Sequence, residues 1–233
     1  MRSSSSKPLP VRRGRRAAVV GRWLRILALL PTALLLQGCL GASVTVPTNF
    51  PVPLLNKLPH AMGLVLEPEL TSYVHEEQVP EFGTWSIDLG GAQEPMFTQL
   101  FAGLFTGYTR VTSLETQASG LSGVIRPTIK EVQFSIPNQT RSDYFEVWIR
   151  YEVDIFDQGQ LISTLPIAAY GKANVQNYGL SSTEPALQAA AWAACRDAMA
   201  YFSVQFQREP KIQAWLNSRS NQAPAPAQET SPT

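Results

Sequence analysis

Apolar and polar residues alternate with a period of two along residues 144–156, which is the clearest pattern in the chain. One side of this segment carries only aliphatic and aromatic residues. The other side carries Glu146, Trp148, Arg150, Glu152 and Asp154. Such alternation predicts an antiparallel strand with one face in the core and the other toward solvent. Residues 157–160 (DQGQ) predict a turn after it, and residues 161–175 predict a returning strand that Pro166 places at an edge or a bulge.

Two other segments have the period of an amphipathic helix. The first carries an apolar stripe at helical spacing, formed by Phe97, Leu100, Phe101, Leu104 and Phe105. The second begins with Ser181-Ser182-Thr183-Glu184, which has the spacing of a capping box, and has Pro185 inside its first turn. Its apolar face is rich in alanine. We therefore predict two helices that pack on a sheet, the second with an especially close approach.

Shorter apolar runs at 62–66, 85–89, 108–114 and 123–136 predict further strands. The resulting order, β-β-α-β-β-β-β-α, predicts an α+β fold. We expect a two-layer sandwich with a mostly antiparallel sheet and two main helices packed on one face.

The same pattern predicts one domain over residues 59–216. Residues 39–58 contain three prolines and read as an extended tether, and residues 217–233 are polar and proline-rich, which predicts a disordered tail.

The N-terminal 38 residues contain eight Lys and Arg residues and no acid, and they include an apolar run at 26–36. Eleven apolar residues are too few for a spanning helix, which needs about 20, so the run is better read as the apolar core of a signal peptide. Directly after it comes Leu36-Gln37-Gly38-Cys39. The basic region, the apolar length and the cysteine position together resemble the signal peptide and lipobox of a bacterial lipoprotein.

That resemblance implies that residues 1–38 are removed and that Cys39 carries acyl chains, which suffice for stable membrane anchoring. Leu40 in place of aspartate after the cysteine implies the outer membrane, and we expect the protein to face the periplasm. The alternative is an unmodified Cys39 after an ordinary signal. Paired arginines at 12–13 and 15–16 leave twin-arginine export open beside the general route.

Charge limits the classes of partner. All 18 acidic residues follow the leader, whereas only 11 of the 19 basic residues do, so the mature part has a net charge of −7. An acidic protein without a basic stripe is not expected to bind nucleic acid or an anionic surface by charge.

The sequence contains no motif that is typical of a catalytic or metal-binding site. His60 and His75 lack neighbours at metal-ligand spacing, so we expect both to be solvated and predict no metal or cofactor. Cys195 lies in the alanine-rich helix and reads as a buried hydrophobe. Two pairs of carboxylates, Glu67 with Glu69 and Asp154 with Asp157, have a spacing that acid–base catalysis or Ca²⁺ binding can use, but solvated acids are much commoner. We predict that the protein is not an enzyme; a hydrolase would need His75, an acid and a serine brought together in space.

One surface feature stands out in the alternating strand. If the helices cover its apolar face, then Tyr144, Trp148 and Arg150 point outward. Tryptophan beside arginine is typical of protein interfaces. The alternative is that another part of the chain covers Trp148.

Four segments, at 85–90, 96–106, 146–151 and 194–198, together resemble a set of small, largely uncharacterised proteobacterial lipoproteins. The order of elements is also similar to that of auxiliary lipoproteins of transport systems and of lipopolysaccharide assembly. The resemblance implies a non-catalytic accessory or assembly subunit of an envelope complex, with a protein partner. The alternative is a lipid- or glycan-binding module with its ligand between helices and sheet, which would need a cavity of several hundred Å³.

Overall fold

A computed structural model of the chain describes residues 41–114, 120–181 and 183–222. The predicted leader and lipobox, with Leu36, Gln37, Gly38 and Cys39, lie outside the described residues. The last eleven residues of the predicted tail also lie outside them.

Eight strands and five α-helices occur within the described ranges. In chain order they are β1 (Gly41–Thr45), β2 (Leu58–Leu64), α1 (Pro68–Thr71), β3 (Val74–Val79), β4 (Gly83–Asp88), α2 (Gly90–Leu104), β5 (Phe105–Arg110), β6 (Gly123–Ser135), α3 (Pro137–Thr140), β7 (Tyr144–Asp157), β8 (Gln160–Asn174), α4 (Thr183–Arg208) and α5 (Pro210–Gln222). Short 3-10 turns across Val175–Ser181 join β8 to α4.

The strands form two sheets, and both sheets are mixed. The larger has the order β5-β2-β6-β7-β8, with parallel pairing of β2 to β5 and β6 and antiparallel pairing from β6 to β8. The smaller has the order β1-β4-β3, in which β1 and β4 are parallel. The α+β class is confirmed, and the longest strand pairs are antiparallel, but the structure has two mixed sheets where a single sheet was predicted. Long connections through helices permit parallel pairing, and hydrophobic periodicity does not report strand direction.

Helices α2 and α4 pack on the same face of the larger sheet, as predicted. Side chains from both helices meet Tyr151 and Val153 of β7, and the rings of Phe101 and Phe202 stack between the helices. The smaller sheet continues this layer, since Trp85 of β4 packs against Phe145 of β7 with ring centroids 5.7 Å apart.

Helix α4 contacts the backbone of β8 directly. A Cβ atom added at Gly171 would lie 2.2 Å from the carbonyl oxygen of Ala190 and 2.3 Å from the amide nitrogen of Ala194. The predicted close approach of the alanine face is therefore confirmed, and it requires glycine on the strand. The place of β8 at the sheet edge agrees with the reading of Pro166.

The predicted tether at 39–58 differs from the structure over its described part. Residues 41–45 form β1, and Ala42, Val44, Val46 and Phe50 are buried in the core. Strand β1 is short and buries only small side chains, and the prolines that follow it resemble a linker. The fold therefore includes the described residues from Gly41 onward, and not only those from residue 59.

The C-terminal boundary also shifts. Helix α5 continues to Gln222, six residues into the segment predicted to be a disordered tail. Trp215 and Arg219 of this helix both donate to the carboxylate of Asp157 at the turn between β7 and β8, with distances of 2.9 Å from each Nε atom. This contact fixes α5 to the end of the sheet.

Among the residues that the structure describes, no helix has both the length and the hydropathy needed to cross a bilayer.

Candidate functional site

The face of the larger sheet opposite the helices carries two exposed aromatic rings. Trp148 of β7 and Tyr170 of β8 are directly opposite each other in the antiparallel register, and their ring centroids are 5.3 Å apart. Their exposed fractions are 39% and 37%. The described part of the chain leaves both rings open to solvent, so the alternative in which other structure covers Trp148 is not observed there.

These rings form the floor and one side of a shallow depression of about 240 Å³ on the strands β6, β7 and β8. We call it the aromatic groove. Its polar and aromatic lining residues are Glu131, Gln133, Trp148, Arg150 and Tyr170.

The charged groups around the aromatic groove are paired. Arg150 donates to Glu131 across β6 and β7 at 2.7 Å. The Tyr170 hydroxyl donates to Glu146 at 2.5 Å, and this hydrogen bond raises the pKa of Tyr170 to about 12. Tyr170 is therefore a neutral phenol at physiological pH. Its backbone N–H also donates to Asp197 of α4 at 2.9 Å, which holds the edge strand in place.

The structure places the three residues of the predicted surface on one face of β7. Trp148 and Arg150 line the aromatic groove, whereas Tyr144 lies at the start of the strand, half-buried. The Lys172 ammonium sits 5.1 Å from the centroid of the Tyr144 ring. Sequence reasoning missed Tyr170, although the alternation of buried Leu165, Ile167 and Ala169 in the returning strand points it outward.

The two candidate carboxylates on β7, Asp154 and Asp157, form ion pairs with two different arginines. Asp154 accepts hydrogen bonds from Arg126 at 2.8 Å and from Thr164 at 2.7 Å. Asp157 is bound by Arg219 and Trp215 of α5. Each carboxylate is thus used in a separate structural contact, and the two do not form a paired acid–base site.

The other pair, Glu67 and Glu69, lines a second, open cavity of about 480 Å³ beside α1. Tyr73 and Arg126 also line it, and burial raises the pKa of the Tyr73 phenol. Within the described ranges, no three His, Cys, Asp or Glu side chains come close enough to share a metal ion.

His60 is buried, so the expectation that it is solvated is wrong. It is 7% exposed, and its Nδ1 atom lies 3.0 Å from the Ser122 hydroxyl oxygen. Burial lowers the pKa of His60 below its ordinary value of 6.5. The proline before it resembles a domain entry, but the residue lies inside β2, where Thr106 donates to its carbonyl oxygen at 3.1 Å.

His75 is partly covered rather than freely solvated. Its ring stands edge-on to Phe134, and its Nε2 atom lies 3.4 Å from Glu77. Neither histidine has both a serine and a carboxylate as hydrogen-bond partners within the described ranges. The constellation that a hydrolase would need is therefore not formed by those residues.

A small polar cluster lies inside the core. The Tyr151 hydroxyl donates to Gln93 of α2 at 3.1 Å, and Gln93 in turn donates to the carbonyl oxygen of Leu89 at 3.1 Å. Cys195 of α4 lies against this pair, and burial raises the pKa of its thiol to about 12. Cys195 is thus buried and protonated, as its alanine-rich surroundings predict.

A very small cavity lies where α2 and α4 pack on the larger sheet. The cavity among Met96, Phe97, Tyr151, Met199 and their neighbours measures about 10 Å³. This is at most about one water molecule. It cannot hold a sugar ring or an acyl chain.

No protein-family model matches the chain, and no curated protein matches its sequence. Solved structures with similarity to it include three bacterial proteins. A Xanthomonas campestris protein of the DUF330 family has a TM-score of 0.43 and 8% identity, over 72% of this chain and 99% of its own.

A proposed lipoprotein from Caulobacter crescentus has a TM-score of 0.36 and 11% identity, over 55% of this chain and 83% of its own. A proposed homologue of the neuraminyllactose-binding hemagglutinin, from Helicobacter pylori, has a TM-score of 0.43 and 12% identity, over 76% of this chain and 99% of its own. Similarity at this level does not assign the chain to a family or transfer a function to it.

Proposed function

We propose that this chain is a non-catalytic, lipid-anchored protein of the bacterial cell envelope that binds a protein partner through the aromatic groove. In this proposal Cys39 carries the lipid at the outer membrane, the fold faces the periplasm, and the protein is an accessory or assembly subunit of an envelope complex. The exposed pair of Trp148 and Tyr170 is the observation that carries the proposal.

Several properties of the aromatic groove favour binding. Tryptophan, tyrosine and arginine are the residue types that contribute most to interface energies, and here all three are adjacent. Strands β6 to β8 hold them in a rigid sheet, so little conformational entropy is lost when a partner docks. Because Arg150 and Glu131 already neutralise each other, a partner can cover these two lining residues without leaving either charge unpaired.

The packed interior favours this proposal over the lipid- or glycan-binding alternative. That alternative places the ligand between the helices and the sheet, where the cavity lined by Met96, Tyr151 and Phe202 measures about 10 Å³. An open groove on a sheet suits a broad contact with another macromolecule better than enclosure of a small ligand.

The test is a photo-crosslinking amino acid at position 133 of the full chain, expressed in bacterial cells, because Gln133 lines the aromatic groove and its replacement keeps the Arg150–Glu131 pair. We expect one predominant adduct with an envelope protein, and we expect Trp148→Ala to reduce it at least about tenfold because removal of such an anchor costs 2 kcal/mol or more. Tyr201→Ala is the matched control: Tyr201 is 38% exposed but lies on α4, on the other side of the sheet. An adduct that survives Trp148→Ala, or that contains glycan and no protein, would overturn the proposal.

The fold of the Trp148→Ala variant is measured in parallel. Loss of the ring pair with Tyr170 is expected to cost about 1 kcal/mol, which lowers the melting temperature by about 2–4 °C. A much larger drop would show that the side chain is needed for the core rather than for binding.

The lipid anchor has its own test. Mass spectrometry of the protein from envelope fractions should show Cys39 as the acylated N-terminal residue. Cys39→Ser should move the protein out of the membrane fraction, and unchanged fractionation would contradict the anchor.

A further inference from the structure

The first residues of the fold lie at one end of the molecule. Gly41 of β1 pairs with Thr84 at the start of β4, and the next residue, Trp85, packs on Phe134 near the end of β6 and on Phe145 near the start of β7. Gly41 is therefore located at the end of the larger sheet where β6 stops and β7 begins. We call it the anchor end.

Three segments close the anchor end. They are the turn between β3 and β4 (80–83), the connection between β6 and β7 (136–143), and residues 175–179 after β8. Strand β7 leads away from them over 14 residues, which is about 45 Å, to the turn at Asp157.

Little chain is available between this end and the proposed anchor. Only Leu40 separates Cys39 from Gly41, and two residues of fully extended chain span at most about 7 Å. Gly41 itself is paired with Thr84 in the sheet, so it adds nothing to this reach. Its backbone passes so close to Thr84 that a Cβ there would lie 2.0 Å from the carbonyl oxygen.

Resting on the proposed acylation of Cys39, we infer that the anchor end lies directly against the lipid headgroups. The long axis of β7 then points away from the bilayer, and the fold has no flexible tether. The occupant of this surface is the bilayer in which the acyl chains of the same molecule are embedded.

The chemistry of the three segments fits such a contact. They contain only three charged residues, Glu81, Arg141 and Asp143, although the mature chain has a net charge of −7. The remaining polar groups are mostly amides and hydroxyls, which hydrogen-bond to phosphate and ester oxygens without charge repulsion. The exposed ring of Tyr178 is an amphipathic side chain of the type enriched at membrane interfaces.

This orientation restricts the partner of the aromatic groove. Trp148 lies four residues from the start of β7, which is about 13 Å along the strand. The aromatic groove is therefore in the half of the molecule nearer the bilayer. The partner surface that reaches it belongs to a protein embedded in the same membrane or anchored to it.

The test compares two labels at opposite ends. Glu81 and Gln158 are both turn residues with positive φ, of +68° and +50°, between the strands of a hairpin. Glu81→Cys and Gln158→Cys are each labelled with the same fluorophore in the acylated full chain. Cys195 does not compete, because its thiol is buried with a pKa of about 12.

The labelled proteins are reconstituted into vesicles of phosphatidylethanolamine and phosphatidylglycerol that contain a headgroup nitroxide quencher. We expect the label at position 81 to be quenched at least about threefold more than the label at 158. Equal or absent quenching in protein that is acylated and sediments with the vesicles would overturn the inference but leave the proposed function standing. Protein that is neither acylated nor vesicle-bound would overturn both.

A variant with a longer linker tests whether the short connection to Cys39 holds the anchor end at the bilayer. Ten Gly/Ser residues inserted between Leu40 and Gly41 add a root-mean-square length of about 17 Å. They should reduce quenching at position 81 to the level at 158 without changing sedimentation. Unchanged quenching in this variant would contradict the role of the short connection.

Discussion

His60 shows how the surroundings of one residue determine its charge. It is enclosed by β2, Thr106 and Ser122, and desolvation lowers its pKa. The folded protein therefore holds a neutral imidazole under conditions in which the unfolded chain takes up a proton.

The consequence is a pH-dependent contribution to stability. Above pH 6.5 both states are neutral at His60 and its contribution is constant. As the pH falls below 6.5, the unfolded state binds a proton first, so the free energy of unfolding decreases by at most about 1.4 kcal/mol per pH unit until the folded pKa is reached.

Urea titrations at pH 7.5 and 5.5 measure this loss. His60→Gln should remove most of the difference between the two pH values, because glutamine keeps a hydrogen-bonding group and does not titrate. His75→Gln is the control, since His75 lies at the surface of β3 beside Glu77. A pH dependence that is identical in the wild type and His60→Gln would assign the loss to other groups.

At the scale of elements, the contact between α4 and β8 depends on one missing side chain. Gly171→Ala would place a methyl group within 2.3 Å of two backbone atoms of α4, so the whole helix must move. We expect a cost of at least about 3 kcal/mol, at the upper end for overpacked positions.

Gly91→Ala is the matched control for that substitution. Its new Cβ meets nothing within 4 Å, and the residue lies in the first turn of α2, where alanine is favoured over glycine by at most about 1 kcal/mol. Denaturant midpoints should therefore move in opposite directions for the two variants. A mild effect of Gly171→Ala would show that α4 does not rest on the strand backbone.

Individual helices and strands also show most clearly how much of the fold the sequence predicts. Strand β7 and helices α2 and α4 follow from periodicity, because each has one buried face. The turn at 157–160 follows from its Asp and Gly residues. Strand direction does not, since parallel and antiparallel pairs bury the same residues. The two-sheet arrangement therefore required the structure.

The pairing of Trp148 with Tyr170 in the aromatic groove could not be predicted either, because it depends on the register between β7 and β8. The turn pairs Asp157 with Gln160, and continuing that register would place Trp148 opposite Ala169, on the wrong face. A shift between Ile155 and Phe156 brings Tyr170 opposite instead. No residue type in β7 or β8 predicts this bulge, so Trp148 and Arg150 could be predicted to face outward while their neighbour across the strand could not.

At the scale of the whole molecule, the structure corrects the predicted N-terminal boundary of the domain, because residues before 59 belong to the fold. Prolines at 47, 51 and 53 indicate a linker, yet Pro53 packs against Gly103 of α2, and Phe50 stacks on Trp192 of α4. These long-range contacts join the first residues of the fold to both helices. They lie too far apart in the chain for local pattern to reveal them.

These contacts also constrain the order of assembly. The Thr45 carbonyl accepts a hydrogen bond from Gln188, 143 positions later in the chain, and β4 is the strand that pairs with β1 among the described residues. The earliest described residues to be synthesised thus become enclosed only after α4 has been made. Chains halted before residue 188 are expected to leave β1 open to protease, whereas completed chains protect it.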